Sequence, residues 1–514
     1  MRSINSIKNV IVAMISNLIA VVVGVVTQAL FLKLLGDEYA GINGLFTTIL
    51  SMLAIVELGF GNAIIYNLYK PVHDDDKKSI KALMNFYKKT YRIIALCIFI
   101  LGLVVMPFIP MIVGEISIKV NLYFIFFLYV IDVVVSYLLT YKRSILYANQ
   151  KVYITNLVHI GYLVIMNTIQ VCLLIVYQNF IVYLLIRILF RFLENLVITV
   201  IANKMYPYIT EKDVDDIDPE VKDDIITKVK GLLFHKVSTF VVTGTDNILI
   251  TMLLGVKMVA IYTNYRLIIT ALNDLLSQIF SSLTASVGNL LVEKNDSHNY
   301  TVFKRLYLLN SWISMWTTAC VFCIASPFIE LVYGAKYVIP MTILLILCMN
   351  FYMTGMRRVY AIFKEAAGVF HEDRFVPVFE AIINIVASVL IAVFMKRFGL
   401  IYGLGGIFIG TIISSLVLFL YSFPKYVYTG VLKKTNNLYY GELVFNALVA
   451  FATITVTYFI TKLFVFDNVF VQMIVNGIIC VIVPNVIYLI LFGRKEEFKF
   501  YLNMLKGVLK KKNG

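Results

Sequence analysis

Apolar runs of about twenty residues succeed one another through this chain, and no polar segment of domain size separates one from the next. At 1.5 Å per residue each run reaches across the ~30 Å hydrocarbon core of a bilayer as a helix, a form that satisfies its own backbone hydrogen bonds away from water. Fourteen such runs are legible, at 10–31, 42–66, 93–113, 121–140, 153–176, 180–201, 233–254, 259–283, 307–332, 341–362, 375–394, 403–421, 443–464 and 470–492. The expected fold class is an all-α polytopic membrane protein. Composition agrees: 60% of the 514 residues are hydrophobic, 15% are charged and mean hydropathy is +0.86, far from the balance of a soluble protein.

The net charge of +15 would suit nucleic acid, but its placement points to lipid. Most of the 45 Lys and Arg lie at the termini and in alternate connections, the asymmetry that keeps basic segments cytoplasmic. Both termini are therefore expected inside, as an even number of spans requires, and the tail KGVLKKKNG suits anionic headgroups. The six cysteines make no disulfide framework. Cys320 and Cys323 form a C-x-x-C in the apolar run TTACVFCIAS with no basic neighbour to lower a thiol pKa, and read as packing residues. The first run exceeds a signal-peptide core and lacks a small-residue cleavage site, so it is expected to be retained.

Connections on the outer side are short, as in GEISIKV and VYQN, and leave no room for an outer catalytic domain. Inner connections are longer. The stretch KPVHDDDKKSIKALMNFYKKTYR, 70–92, is amphipathic and is expected to lie as a helix along the inner surface. The acidic segment NKMYPYITEKDVDDIDPEVKDDIITKVKG divides the chain into an N-terminal six-helix lobe (1–203), a linker (204–232), a second six-helix lobe (233–430) and two further helices with a basic tail (431–514). A weak repeat accompanies that division: LKLLGDEYAGINGLF (32–46) and ITMLLGVKMVAIYTNYRLI (250–268) both end a helix on Leu-Leu-Gly, turn briefly and begin another. Two related halves suit a transporter that rocks about a site between them.

An ionisable side chain at the bilayer centre costs about 2.5 kcal/mol or more, so each one should face protein or a wet cavity. In FIVYLLIRILFRFLENLVITV, Tyr183, Arg187, Arg191 and Glu194 recur at i, i+4, i+8 and i+11 and share one helical face. Arg187 and Arg191 lie roughly 10 and 16 Å from the outer end of that helix. Pairing Arg191 with Glu194 would account for one guanidinium; the other needs a partner from another helix or from a ligand, and its forked donors suit phosphate oxygens. Asp246 and Arg266 each stand ten residues from an outer turn near Val256, level with one another on antiparallel helices; they form either a structural ion pair or part of a working site. The cavity candidates are thus Tyr183, Arg187, Arg191 and Arg266. Asp132 in YVIDVVVSY and Glu57 in LAIVELGFGNA join Glu194 and Asp246 as candidates for ion or proton coupling, with Gly59 and Gly61 permitting a broken turn after Glu57. His235 and Lys236 are expected to reach the inner headgroups. Arg357, Arg358, Glu365 and Glu380 are expected near the inner surface as solvated ends or inter-helix salt bridges.

The stretch LLGDEYAGINGLFTTILSMLAIVELGFGNAIIYNLYKP (34–71), with TDNILITMLLGVKMVAIYTNYRLI (245–268) and LTASVGNLL (283–291), resembles the Wzx-type polysaccharide flippases of the multidrug/oligosaccharidyl-lipid/polysaccharide exporter superfamily. The resemblance covers essentially the whole chain in length and helix order. It implies two six-helix lobes forming a V, with two extra helices, in a bacterial cell membrane. It also implies a cargo, undecaprenyl-diphosphate-linked oligosaccharide repeat units for capsule or exopolysaccharide, moved to the outer leaflet beside the polymerase and glycosyltransferases of the same pathway. An H+ or Na+ gradient would drive the cycle, with no catalytic residue and no cofactor. A drug or cation antiporter of the same fold would call for an acidic, aromatic cavity, which the arginines oppose. A membrane polymerase would need a sizeable outer loop. A teichuronic-type glycolipid exporter fits the same residues.

Overall fold

A computed structural model describes residues 2–57, 60–211, 216–227, 229, 244–281, 283–292, 296–369 and 372–512. His235, Lys236, Gly59 and part of the 204–232 linker lie outside them. The described residues are helical almost throughout, and the described part of each of the fourteen apolar runs is helical apart from Thr245 and residues at or next to the run ends. Among the described residues, ten helices are long and apolar enough to cross a membrane. Their outward faces are those of a protein solvated by lipid: Ile11, Ile15, Leu18, Val22 and Val26 recur along one face of the first helix, each more than half exposed.

The chain forms two compact units, residues 1–263 and 264–514. The first holds α1 (Arg2–Leu35), α2 (Asp37–Leu53), α3 (Phe60–His73), α4 (Lys77–Val105), α5 (Ile109–Val113), α6 (Leu122–Leu138), α7 (Arg143–Ala148), α8 (Val152–Tyr177), α9 (Phe180–Met205), α10 (Asp246–Leu254) and the start of α11 (Val256–Ser281). Within it α1 packs on α8, α4 on α6, and α9 on both α6 and α8. The expected surface helix at 70–92 is corrected here. A turn at 74–76 ends α3, Asp76 accepts a hydrogen bond from the Ser79 amide at 3.1 Å, and α4 then runs unbroken from the polar segment into the third apolar run. Its apolar face does not cover lipid: Ile80, Leu83, Met84, Tyr87 and Tyr91 pack with Ile64, Leu68, Ile145 and Ile225 into one buried cluster.

The Leu-Leu-Gly repeat is visible in the backbone. Gly36 joins α1 to α2 with φ 89° and ψ −178°, and Gly255 joins α10 to α11 with φ 92° and ψ 159°. A side chain would be strained at either φ, so glycine allows two helices to be joined by a single residue. The residue two positions beyond each glycine is charged, Glu38 in the first and Lys257 in the second, and the two pair with each other at 3.1 Å.

The second unit holds the rest of α11, α12 (Thr284–Val292), α13 (Asp296–Tyr333), α14 (Met341–Ala366), α15 (Val376–Met395), α16 (Leu400–Val417), a wide π-helical turn (Leu418–Val431), α17 (Asn436–Leu463), α18 (Val469–Phe492) and α19 (Glu496–Lys512). The π-helical segment contains Pro424, which has no N–H to give to a carbonyl a turn earlier. The Tyr439 and Tyr440 hydroxyls donate instead to the Phe419 and Leu420 carbonyls, at 2.7 and 2.8 Å. Around that repair Phe303, Tyr307, Tyr360, Phe423 and Tyr428 build a buried aromatic core.

Candidate functional site

Helices α6 and α9 both begin at the outer side of the expected topology, so residues equally far from their starts lie level. Asp132 is ten residues into α6, while Arg187 and Arg191 are seven and eleven residues into α9, which places the carboxylate about 15 Å deep, between the two guanidiniums. The Arg187 Nε lies 2.9 Å from one Asp132 oxygen and the Arg191 Nε 2.8 Å from the other. Asp132 is almost wholly buried; the side-chain exposure rises to 18% at Arg187 and 38% at Arg191. The stripe thus grades from a sealed acid to an accessible cation. Two guanidiniums on one carboxylate leave one formal positive charge in an apolar helical body, and no second carboxylate among the described residues comes within ion-pair distance of either. The ion pairs engage Nε, which leaves the terminal nitrogens of the fork for a further acceptor.

Aromatic side chains hold this group in place. The Arg187 guanidinium carbon lies 5.1 Å from the Tyr129 ring centroid, one turn before Asp132, and the Tyr129 hydroxyl donates to the Asn43 side chain on α2. Tyr183 packs edge-on against Phe31, with centroids 5.1 Å apart, and stacks on Phe180. Its place on the shared face is as expected, yet its ring is committed to packing.

Glu194 does not take Arg191. It accepts from Arg143 at 2.6 Å and faces His159 Nδ1 at 3.1 Å. Arg143 also donates to the Asn195 side chain at 2.9 Å, and Asn195 donates to the Ser136 carbonyl at 3.1 Å. The helical stripe therefore divides into two ion clusters, one cationic and one balanced. Arg143 and His159 were not singled out from sequence because both lie near an inner connection where basic residues are ordinary.

Glu57 closes a short 3-10 segment, Ala54–Glu57, that interrupts the second apolar run. Its carboxylate accepts from the Tyr91 hydroxyl at 3.2 Å, and Tyr91 stacks on Tyr137 of α6. Asp246 is buried in the first turn of α10, in the first unit. Arg266 is half-buried on α11 in the second unit, where no described carboxylate of that unit lies at ion-pair distance. Asn247, beside Asp246, donates to the Thr48 hydroxyl at 2.8 Å and ties α10 to α2.

Two residues of this packing were absent from the sequence expectations. Glu38 accepts from the Ser117 and Ile118 amides at 2.9 and 3.0 Å, which fastens the outer connection between α5 and α6 to α2, and it pairs with Lys257. Their matching offset from the two glycines was the signal that could have found them. Arg357 pairs with Glu380 at 2.7 Å, an inter-helix salt bridge as expected; its neighbour Arg358 has no such partner among the described residues.

The sequence matches no protein-family profile and no curated protein. Among solved structures it is similar to the lipid II flippase MurJ in an inward closed conformation, with a TM-score of 0.64 at 13% identity over 95% of this chain and 99% of that one. An inward-facing multidrug resistance MATE family transporter of the MOP superfamily aligns with a TM-score of 0.55 at 16% identity, over 77% of this chain and 92% of its own. A Vibrio cholerae MATE transporter, VcmN, aligns with a TM-score of 0.54 at 14% identity, over 82% and 96%. The chain has the all-α, multi-pass membrane fold of these flippases and transporters.

Proposed function

We propose that this protein is a flippase that carries undecaprenyl-diphosphate-linked oligosaccharide repeat units from the inner to the outer leaflet of a bacterial cell membrane, for capsule or exopolysaccharide synthesis. The observation that carries this reading is the Arg187–Asp132–Arg191 group, two guanidiniums on one buried carboxylate and open on its Arg191 side; the expected topology sets this net cation near the middle of the bilayer. A diphosphate offers oxygens that the free ends of two guanidiniums can chelate. A cationic drug would meet repulsion there. Fold likeness to a lipid II flippase supports a lipid-linked cargo of this general kind.

Transport proceeds by alternating access between an N-terminal lobe (1–203) and a second lobe (233–430), joined through the 204–232 linker, with the lipid tail left in the membrane. The α10–α11 start, which packs on α2 within the first unit, is the outer closure. Asp132 competes with the diphosphate for the arginines. Uptake of H+ or Na+ by Asp132, Glu194, Asp246 or Glu57 would weaken that competition and bias the lobes, since a ligand shifts an equilibrium only through different affinities for its two states. Arg266 contributes a further cation to the headgroup. The repeat units come from glycosyltransferases and pass to a polymerase of the same pathway.

The test is genetic and biochemical. In a strain that makes one capsule or exopolysaccharide, deletion should strand lipid-linked repeat units inside; unchanged surface polymer with no accumulation refutes the reading. Arg187→Gln and Arg191→Gln, at normal membrane levels, should each lower export roughly ten- to hundred-fold, the loss of one charged hydrogen bond. Full export in both would leave α9 a structural role.

A further inference from the structure

Arg357 and Arg358 are adjacent on α14, yet their surroundings differ. Arg357 donates to Glu380 at 2.7 Å and to the Ser415 hydroxyl. Arg358 is 9% exposed and donates only from Nη2, to the Asn273 side-chain oxygen at 2.7 Å. That acceptor is neutral. Among the described residues the buried Arg358 Nε and Nη1 groups have no acceptor, and no carboxylate is at ion-pair distance. Guanidinium does not deprotonate in a protein, so the charge persists. A buried charge without a counter-charge is the arrangement proteins most strongly avoid.

The surrounding polar atoms are donors or neutral. The Ser314 hydroxyl on α13 is buried and has no partner among the described residues. Its oxygen and the Arg358 Nη1 converge on Gly355, at 2.6 and 3.2 Å from where a Cβ on that glycine would stand. Asn310 gives its amide to the Gly355 carbonyl at 3.0 Å, and Asn273 is half-buried on α11, next to the exposed Asp274. Three free N–H bonds of a guanidinium, beside a free hydroxyl and lacking any anion, make a donor set for an oxyanion.

We infer that Arg358, with Ser314 and held by Asn273, forms a binding site in the second unit for a phosphate-class oxyanion, supplied either as free phosphate or as a lipid phosphomonoester. Asn273 positions the guanidinium through one nitrogen and leaves the others to the anion. The site is independent of the transport reading: it shares no residue with the Arg187–Asp132–Arg191 group and lies in the other compact unit.

Thermal unfolding of the purified full-length protein tests this, with inorganic phosphate titrated at constant ionic strength in one arm and phosphatidic acid introduced into phosphatidylcholine nanodiscs in the other. Wild type and the Arg187→Gln/Arg191→Gln variant should show a saturable rise in unfolding midpoint. In Arg358→Gln the phosphate needed for half the rise should increase about tenfold or more. Asn273→Asp places a carboxylate on the guanidinium; it should raise the midpoint without phosphate and abolish the response, and it guards against an Arg358→Gln variant that folds poorly. A response to phosphatidic acid alone identifies a lipid headgroup as the ligand, and one to both identifies free phosphate chemistry. Equal responses in wild type, Arg358→Gln and Asn273→Asp overturn the site, as does no response in either arm.

Discussion

Gly41 sits where α2 crosses the start of α11, and its missing side chain sets how close the two can come. A Cβ built there would stand 2.0 Å from the Val256 carbonyl oxygen and 2.8 Å from the Val256 carbonyl carbon and one of its methyl groups. A carbon-to-oxygen contact relaxes near 3.3 Å, so Gly41→Ala forces the helices apart by roughly 1.3 Å. The obstacle is backbone and cannot turn aside as a long side chain would. Overpacking of this kind costs about 1–3 kcal/mol. If α2 and α11 part during the transport cycle, that cost falls on the closed arrangement alone and shifts the population toward the open one by roughly 5- to 150-fold. Thr48 reports the change, because it is 5% exposed under the contact and accepts from Asn247 at 2.8 Å. In a background stripped of native cysteines, a Thr48→Cys reporter should react with an impermeant maleimide added outside the cell. Gly41→Ala should raise its labelling rate by the stated factor, and Gly24→Ala, with nothing within 4 Å of the added methyl, should leave it unchanged. Unchanged labelling in a stably folded Gly41→Ala protein refutes a closure at this crossing.

Two further outcomes follow from the charged groups. Asp132→Asn removes the sole carboxylate between Arg187 and Arg191 and should destabilise the protein by about 3–5 kcal/mol, read as a lowered unfolding midpoint in detergent; adding Arg187→Gln should recover part of the loss, and a double variant no more stable than the single one contradicts the shared-partner geometry. At Glu38 burial opposes ionisation, but the Ser117 amide, Lys257 and the Ile118 amide outweigh it and hold the carboxyl below its ordinary value of 4.5. A depressed carboxyl contributes stability in full above its unfolded pKa and loses it as pH falls through the folded value. Labelling of the Thr48→Cys reporter, divided at each pH by that of a fully exposed cysteine to remove the loss of thiolate on acidification, should therefore be flat from neutral pH to about 4.5 and climb only below it, and a Glu38→Gln protein should show the raised ratio at every pH.

The helices were legible because hydrocarbon leaves the backbone little choice, and the face of α9 was legible because Tyr183, Arg187, Arg191 and Glu194 keep the helical period. Which helix answers that face was not. Asp132 was found by its depth alone; that it serves both arginines depends on α6 lying beside α9 and running in the same direction, a fact of tertiary packing that no local spacing carries. A pair between Glu194 and Arg191 was one reading of the stripe, because residues three apart on one helix can meet, but Arg143 reaches Glu194 from α7 at 2.6 Å. The surface helix at 70–92 was misplaced for a related reason: an amphipathic face declares that something apolar covers it, and the cover here is Ile145 and Ile225 of the protein itself rather than lipid.

Adjacent arginines show the same limit most sharply. Consecutive residues on a helix point about 100° apart, so Arg357 and Arg358, one motif in the sequence, must face different neighbours. Arg357 turns toward α15 and finds Glu380; Arg358 turns toward α11 and finds Asn273. The chemistry of each is set by the helix it meets, which makes one arginine a structural bridge and leaves the other a cation in need of an anion. Exchanging their fates should take a single change on the facing helix, which is why Asn273→Asp is more informative than any substitution at Arg358 itself.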